Sequence, residues 1–257
     1  MWVPNGVSSP YVLQAQGISK NYGKIQALAA VDFAIGAGEV VGLVGDNGAG
    51  KSTLIKVLSG AIMPDAGELQ LKGENVRLKS PADARRRGIE TVYQDLSLAP
   101  HLTIADNLFL GREMFHSNFS RMFGVLNRKH MMERAQQILD ELHVTVRSMK
   151  SSIAELSGGQ RQAVAVARAV LWGDSMIILD EPTNHLGVEE VEMVLNLIRR
   201  VRERGIPVVF ISHTLPHVLE VTDRIEVMFL GRKVKSLITK DTTLDEVIAY
   251  ITGSRVA

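Results

Sequence analysis

The run "VVGLVGDNGAGKSTLIKVLSG", Val40 to Gly60, decides the fold. A β-branched stretch ends in glycine, a loop punctuated by Gly45, Gly48 and Gly50 follows, and a helical pattern starts at Lys51. Strand, glycine loop and helix in that order form a phosphate-binding loop. Glycines leave bare backbone N–H groups free to wrap phosphate oxygens, Lys51 neutralises the β and γ oxygens, and the Ser52 hydroxyl suits Mg²⁺. Loops of this kind lie at the carboxyl ends of strands in open α/β sheets.

Working outward, short β-branched runs alternate with longer helical patterns, as in a mainly parallel sheet covered by helices. Strands are expected at Val12–Ser19, Ala29–Ile35, Val40–Val44, Leu69–Leu71, Glu90–Tyr93, Met176–Leu179, Val208–Ile211 and Ile225–Phe229. The first two, and the hairpin "GELQLKGENVRL", have connections too short for a crossover and are expected to be antiparallel. Helices are expected at Lys51–Leu58, Pro81–Arg87, Arg128–Leu142, Gly159–Leu171, Val188–Arg204 and Leu244–Thr252. From about Ala99 to Trp172 helical patterns follow one another without a strand, which reads as a helical insertion. Residues 11–257 then form a single domain behind a lead-in at 1–10, whose "MWVPNGVSSP" lacks the basic start and apolar core of a secretory signal.

Composition narrows the function classes. With 257 residues and 46% hydrophobic content the chain can bury a sizeable core, and a formal net charge of +1 gives no field favouring nucleic acid. The absence of cysteine excludes disulfides, thiol catalysis and thiolate metal sites, and the seven histidines have no ligand-like spacing. The apolar runs "EVVGLVG", "MIILD" and "IPVVFIS" are far shorter than the roughly 20 residues a spanning helix needs.

Two further stretches bear on chemistry. "MIILDEP" sets Asp180 and Glu181 at the end of a buried strand, where one carboxylate fits a Mg²⁺ shell and the next can accept a proton from an attacking water. "ELSGGQRQAVAVARAV", Glu155 to Val170, opens a second helix with Ser157, Gly158 and Gly159, a ready anion site with no lysine behind it.

Taken together, "GDNGAGKST", "LSGGQ" and "ILDEP" resemble the ATP-binding subunits of ABC transporters, with matching motif order from Val12 to about Arg232. The resemblance implies a RecA-like phosphate-loop NTPase core of α/β class, with an antiparallel β subdomain and an inserted α-helical subdomain at about 99–172. It implies ATP and Mg²⁺ as ligands, and a second copy of the chain paired head to tail, so that each "LSGGQ" helix caps the γ-phosphate on the other's loop. Gly45, Asn47, Gly48, Gly50, Lys51, Ser52 and Thr53 would hold the nucleotide from one side. Ser157, Gly158, Gly159 and Gln160 would hold it from the other. Tyr22 matches an aromatic ring that stacks on adenine. Gln94 matches a glutamine that reaches Mg²⁺ and water, beside Ser52 and Asp180 as metal ligands. Glu181 matches the catalytic base, and His213 a switch histidine that contacts the γ-phosphate. The loop "NHLGVEE" departs from the family by placing Gly187 where an aspartate is usual.

Within that family "GDNGAGKSTLIKVLSG", "YQDLSLAPHLTIADNLFLGRE" and "ISHTLPHVLEVTDRIEVMFLGRK" resemble the ATPases of bacterial monosaccharide importers of the ribose, xylose and fructose type. That implies a peripheral subunit at the cytoplasmic face of the plasma (inner) membrane, bound to permease subunits and indirectly served by a substrate-binding protein. Leu96, Leu98 and Leu102 are then expected to help line a groove for the permease. Another importer cargo, such as an amino acid, or a soluble ABC-type ATPase outside transport, are the alternatives.

Overall fold

The structure is a computed structural model that describes residues 10–255. Of the expected lead-in only Pro10 falls among these; residues 1–9 lie outside the described residues. The chain divides into two compact units: one takes in the chain up to Thr91, Gly173–Glu181 and the chain from Val201 on; the other takes in Val92–Trp172 and Pro182–Arg200.

The first unit holds two sheets. β1 (Tyr11–Tyr22) and β2 (Ile25–Gly36) pair antiparallel, as the short connection predicts, and bury alternate residues such as Leu13 and Ala15 on one and Val31, Phe33 and Ile35 on the other. The core helix α1 (Lys51–Leu58) follows β3 (Val40–Gly45). β4 (Ala66–Leu71) adds to β1, and β5 (Glu74–Val76) closes back on β4 through Lys72 and Gly73, both at positive φ as a two-residue hairpin turn requires. The order is β2-β1-β4-β5.

After α2 (Pro81–Arg86), capped by Ser80, comes β6 (Ile89–Val92). The second sheet orders β10-β9-β3-β8-β7-β6, with β7 (Met176–Asp180), β8 (Val208–Ile211), β9 (Arg224–Phe229) and β10 (Arg232–Ile238). β3 runs parallel to β8 and β9, and β7 parallel to β8, so these strands are buried almost throughout and, apart from Asp180 ending β7 and Arg224 and Glu226 in β9, apolar on both faces. Side chains from both sheets and α1 share one core, with Phe33, Leu54, Ile178 and Ile211 among its members.

Two short helical elements of this unit, α8 (Leu215–Val221) and α9 (Leu244–Ile251), flank the edge hairpin of β9 and β10 in sequence. Neither α8 nor β10 was expected. β10 reads "RKVKSLI", whose basic residues suit a half-exposed edge strand and break the apolar run that marks buried ones.

The second unit is helical, with α3 (Ile104–Leu108), α4 (Asn118–Met122), α5 (Arg128–Glu141), α6 (Gly158–Trp172) and the N-terminal part of α7 (Val188–Glu203). α3 and α4 are single-turn pieces too short to show a period. Asn107, fully buried, ties the chain before α3 by accepting from Ala99 N (2.7 Å) and donating to Ala99 O (3.0 Å). Phe109 meets Trp172 edge-on at 5.6 Å, and the Trp172 indole N–H donates to Leu108 O at 2.9 Å. Among the described residues no helix is long and apolar enough to cross a membrane.

Candidate active site

The loop between β3 and α1 is built as its glycines require. Gly45 has φ 153°, and a Cβ there would stand 2.4 Å from Met228 O; Gly50 has φ 101°, and its Cβ would meet Ala27 O at 2.8 Å. Neither position admits a side chain, so the loop is pinned against β9 and β2 as well as left bare toward solvent. Gly50 caps α1 without a side chain, so the first-turn N–H groups have no side-chain acceptor. The Asp46 backbone accepts from Ala49 N at 3.1 Å, which closes the turn.

Lys51 folds back over this loop, donating to Gly45 O at 2.7 Å and Asp46 O at 3.0 Å. Burial lowers its proton affinity, and the charges of Glu181, Asp46 and Asp180 act the other way. Beside the loop lies an open cleft of about 520 Å³, lined by Tyr22, Ile25, Asp46–Thr53, Leu230 and Gly231 among others. The structure thus brings Tyr22, Asn47, Gly48, Gly50, Lys51, Ser52 and Thr53 to one cleft. Ile25 (70% exposed) and Leu230 (73% exposed) give it apolar walls that the sequence reading missed. Leu230 and Gly231 both have positive φ in the β9–β10 turn, and Gly231 N donates to Ala49 O at 3.0 Å, so this turn is fastened to the loop.

At the end of β7, Glu181 N donates to Ile211 O at 2.9 Å while the residue itself is held at φ 52°. That left-handed backbone is unfavourable for a side chain larger than glycine. It turns the carboxylate onto His213, just past β8, whose Nδ1 lies 2.9 Å from Glu181 Oε2. Asp180 is held above the usual carboxylate range, first by burial and then by the charge of Glu181, with Lys51 opposing. Two adjacent carboxylates thus face one ammonium, an arrangement that favours an added cation. Among the described residues no group of three His, Asp or Glu side chains could hold a metal alone.

The remaining candidates belong to the second unit. Gln94 lies exposed just after β6. Ser157 and Gln160 form a reciprocal capping box at the start of α6: Ser157 Oγ accepts from Gln160 N (3.3 Å) and Gln160 Oε1 accepts from Ser157 N (3.1 Å). Gly158 and Gly159 fill the two positions between them, and Arg161 Nη1 donates to Leu156 O at 2.7 Å, bracing the turn from behind.

Comparison with known proteins agrees with this architecture. The family model described as "ABC transporter" matches residues 28–184. The chain is 48% identical to the fructose import ATP-binding protein of Rhizobium meliloti over 246 residues, covering 95% of each chain. It is 44% identical to the xylose/arabinose import ATP-binding protein of Sulfolobus acidocaldarius, covering 94% of each. Among solved structures, a nucleotide-free ATP-binding cassette from an ABC transporter superposes with a TM-score of 0.80 at 28% identity, covering 94% of this chain and 99% of that one. The dimeric, post-hydrolysis structure of an ATP-binding cassette bound to ADP and phosphate superposes at 0.71 and 25% identity, covering 88% and 98%. With the motifs in one cleft and on one helix end, and the likeness running nearly the full length of both relatives, this chain belongs to the ABC transporter family.

Proposed function

We propose that the chain is the ATP-hydrolysing subunit of an importer for a monosaccharide, working as a head-to-tail pair at the cytoplasmic face of the membrane. The observation that carries the hydrolytic part is the Glu181–His213 pair, set at the ends of β7 and β8, with the Glu181 charge acting on Lys51. The sugar rests on the fructose and xylose/arabinose import relatives. The paired state is supported by the dimeric cassette with ADP and phosphate.

In this reading the glycine loop and Lys51 take the β and γ oxygens of ATP, and Tyr22 stacks on the base between the apolar walls of Ile25 and Leu230. Ser52, Asp180 and Gln94 are the residues that would hold Mg²⁺, which would supply positive charge to offset that of the phosphates. The donor set fits a hard cation: one hydroxyl, one amide, and one carboxylate whose proton affinity is raised by burial and by the charge of Glu181, so that a nearby cation would favour its ionised form. Glu181 accepts the proton of the attacking water, and His213 holds the carboxylate on station. The turn Ser157–Gln160 of the second copy meets the γ-phosphate with backbone donors and a positive helix end. Only ATP spans both surfaces, so binding favours closure and hydrolysis reopens the pair. Leu96 and Leu98, half-buried, and Leu102, exposed, provide apolar surface for a permease helix.

The test is affinity purification of the tagged chain from gently solubilised native membranes, with mass spectrometry of what copurifies and ATPase assays on the product. A multi-span permease with a sugar-binding protein is the expected result. Recovery of soluble partners alone, with ATPase activity intact, would overturn the transport assignment and leave the nucleotide chemistry standing.

A further inference from the structure

The turn at Ser157–Gln160 and the loop before α7 are some thirty residues apart in sequence, yet one carboxylate serves both. Glu190 Oε1 accepts from Gly159 N at 3.0 Å, and Glu190 Oε2 accepts from Gly187 N at 3.2 Å. These bonds, led by that from Gly159 and helped by the Ser157 hydroxyl nearby, hold Glu190 below the usual carboxylate range.

Local rules account for half of this. Glu190 is the third residue of α7, and its bond to Gly187 N is the return arm of a helix cap. A capping glutamate usually has its second oxygen in water. Here that oxygen reaches the first turn of another helix, so a single carboxylate is shared between the first turns of α6 and α7.

Packing makes the link close. A Cβ on Gly159 would lie 2.8 Å from Glu190 Cβ and 3.3 Å from Glu190 Cα, and a Cβ on Gly158 would meet Leu186 Cδ2 at 3.1 Å. Gly159 is therefore required by the chain's own Glu190, before any ligand is considered, whereas at Gly158 the end of the Leu186 side chain would have to give by only a few tenths of an ångström.

We propose that Glu190 is a positioning residue: it clamps the Ser157–Gln160 turn to the Asn184–Gly187 loop, so that the two present to the opposing copy as one body. This rests on the reading that the turn meets the nucleotide of a second copy.

The test uses the full chain and two variants. Glu190→Gln keeps the shape but can accept through only one oxygen. Gly159→Ala keeps the carboxylate and forces the turn away from α7. Both are expected to lower kcat on the order of ten- to a hundredfold, as displacement of a positioned group by about 1 Å can do. Affinity for Mg·ADP should stay within about twofold in both, because the loop carrying Lys51 belongs to the other compact unit.

Backbone amide exchange at Gly159 and Gly187 should quicken in Glu190→Gln. Unchanged exchange at both glycines, a kcat within about twofold of the parent, or a parallel fall in Mg·ADP affinity and thermal midpoint would overturn the clamp. Should parent turnover prove indifferent to Glu181→Gln, the hydrolytic reading fails by itself, and the exchange measurement still decides for or against the clamp.

Discussion

Replacing Glu181 by glutamine removes one charge and almost no volume. The Gln side chain keeps an oxygen near His213 Nδ1, which lies 2.9 Å from the carboxylate, but it cannot take a proton from water. A positioned general base is worth about 10²–10⁴-fold, so the barrier should rise by about 2.7–5.4 kcal/mol. Nucleotide affinity should hold or improve. Glu181 is the largest charge acting to keep Lys51 protonated and it also repels Asp180, so its loss leaves a less negative cleft for incoming phosphates. Single-turnover phosphate release at saturating Mg·ATP measures the first quantity, and equilibrium nucleotide binding the second. A release rate within about threefold of the parent would refute the assignment of the base. Glu181→Gly separates chemistry from strain. At φ 52° glycine escapes a backbone penalty of roughly 1–2 kcal/mol, so this variant should lose as much turnover as the glutamine while unfolding at equal or higher denaturant.

Three further outcomes are expected. Lys51→Ala should weaken Mg·ATP binding by about tenfold or more in an equilibrium titration, since it deletes a charge-assisted bond worth about 1.5–3 kcal/mol. Gly42→Ala places a methyl 2.6 Å from Val218 Cγ1 and 3.1 Å from Thr222 Cγ2, and should cost about 1–3 kcal/mol in chemical denaturation without altering nucleotide affinity. The third concerns pH and Glu226, whose carboxyl burial raises above its ordinary 4.5, while Lys233 and Arg224 oppose the rise. The folded chain therefore keeps this proton over a window where the unfolded chain has lost it, and stability contributed by Glu226 falls as pH climbs upward from 4.5. Glu226→Gln should accordingly gain on the parent as pH rises from acid toward neutral in denaturant melts; a stability difference flat with pH would count against a buried, proton-retaining carboxyl.

Patterns that need only near neighbours in sequence were legible. The strand-loop-helix order around Lys51 placed α1 at Lys51–Leu58, as found, because apolar spacing and glycine punctuation act within a few residues. The antiparallel hairpin of β4 and β5 followed from a connection too short for anything else. Tyr22, Asn47, Gly48, Gly50, Lys51, Ser52 and Thr53, legible as motif residues in the sequence, all line the one cleft. β10 and α8 escaped notice, since an edge strand with alternating lysines and a seven-residue helix carry little periodic signal.

Tertiary structure decided the rest. Ile25 and Leu230 look like ordinary apolar residues in the sequence, and only the meeting of two hairpin turns beside the phosphate loop exposes them as its walls. The left-handed backbone of Glu181 and its bond to His213 arise because β7 and β8 pair side by side. The glycines at 158 and 159 read as room for a phosphate, yet the folded chain fills that room with Leu186 and Glu190. Residue type and spacing determined which groups could do chemistry, because those depend on covalent structure and local turns. Which groups touch was left to long-range packing, where one carboxylate can serve two helix ends that no sequence window contains.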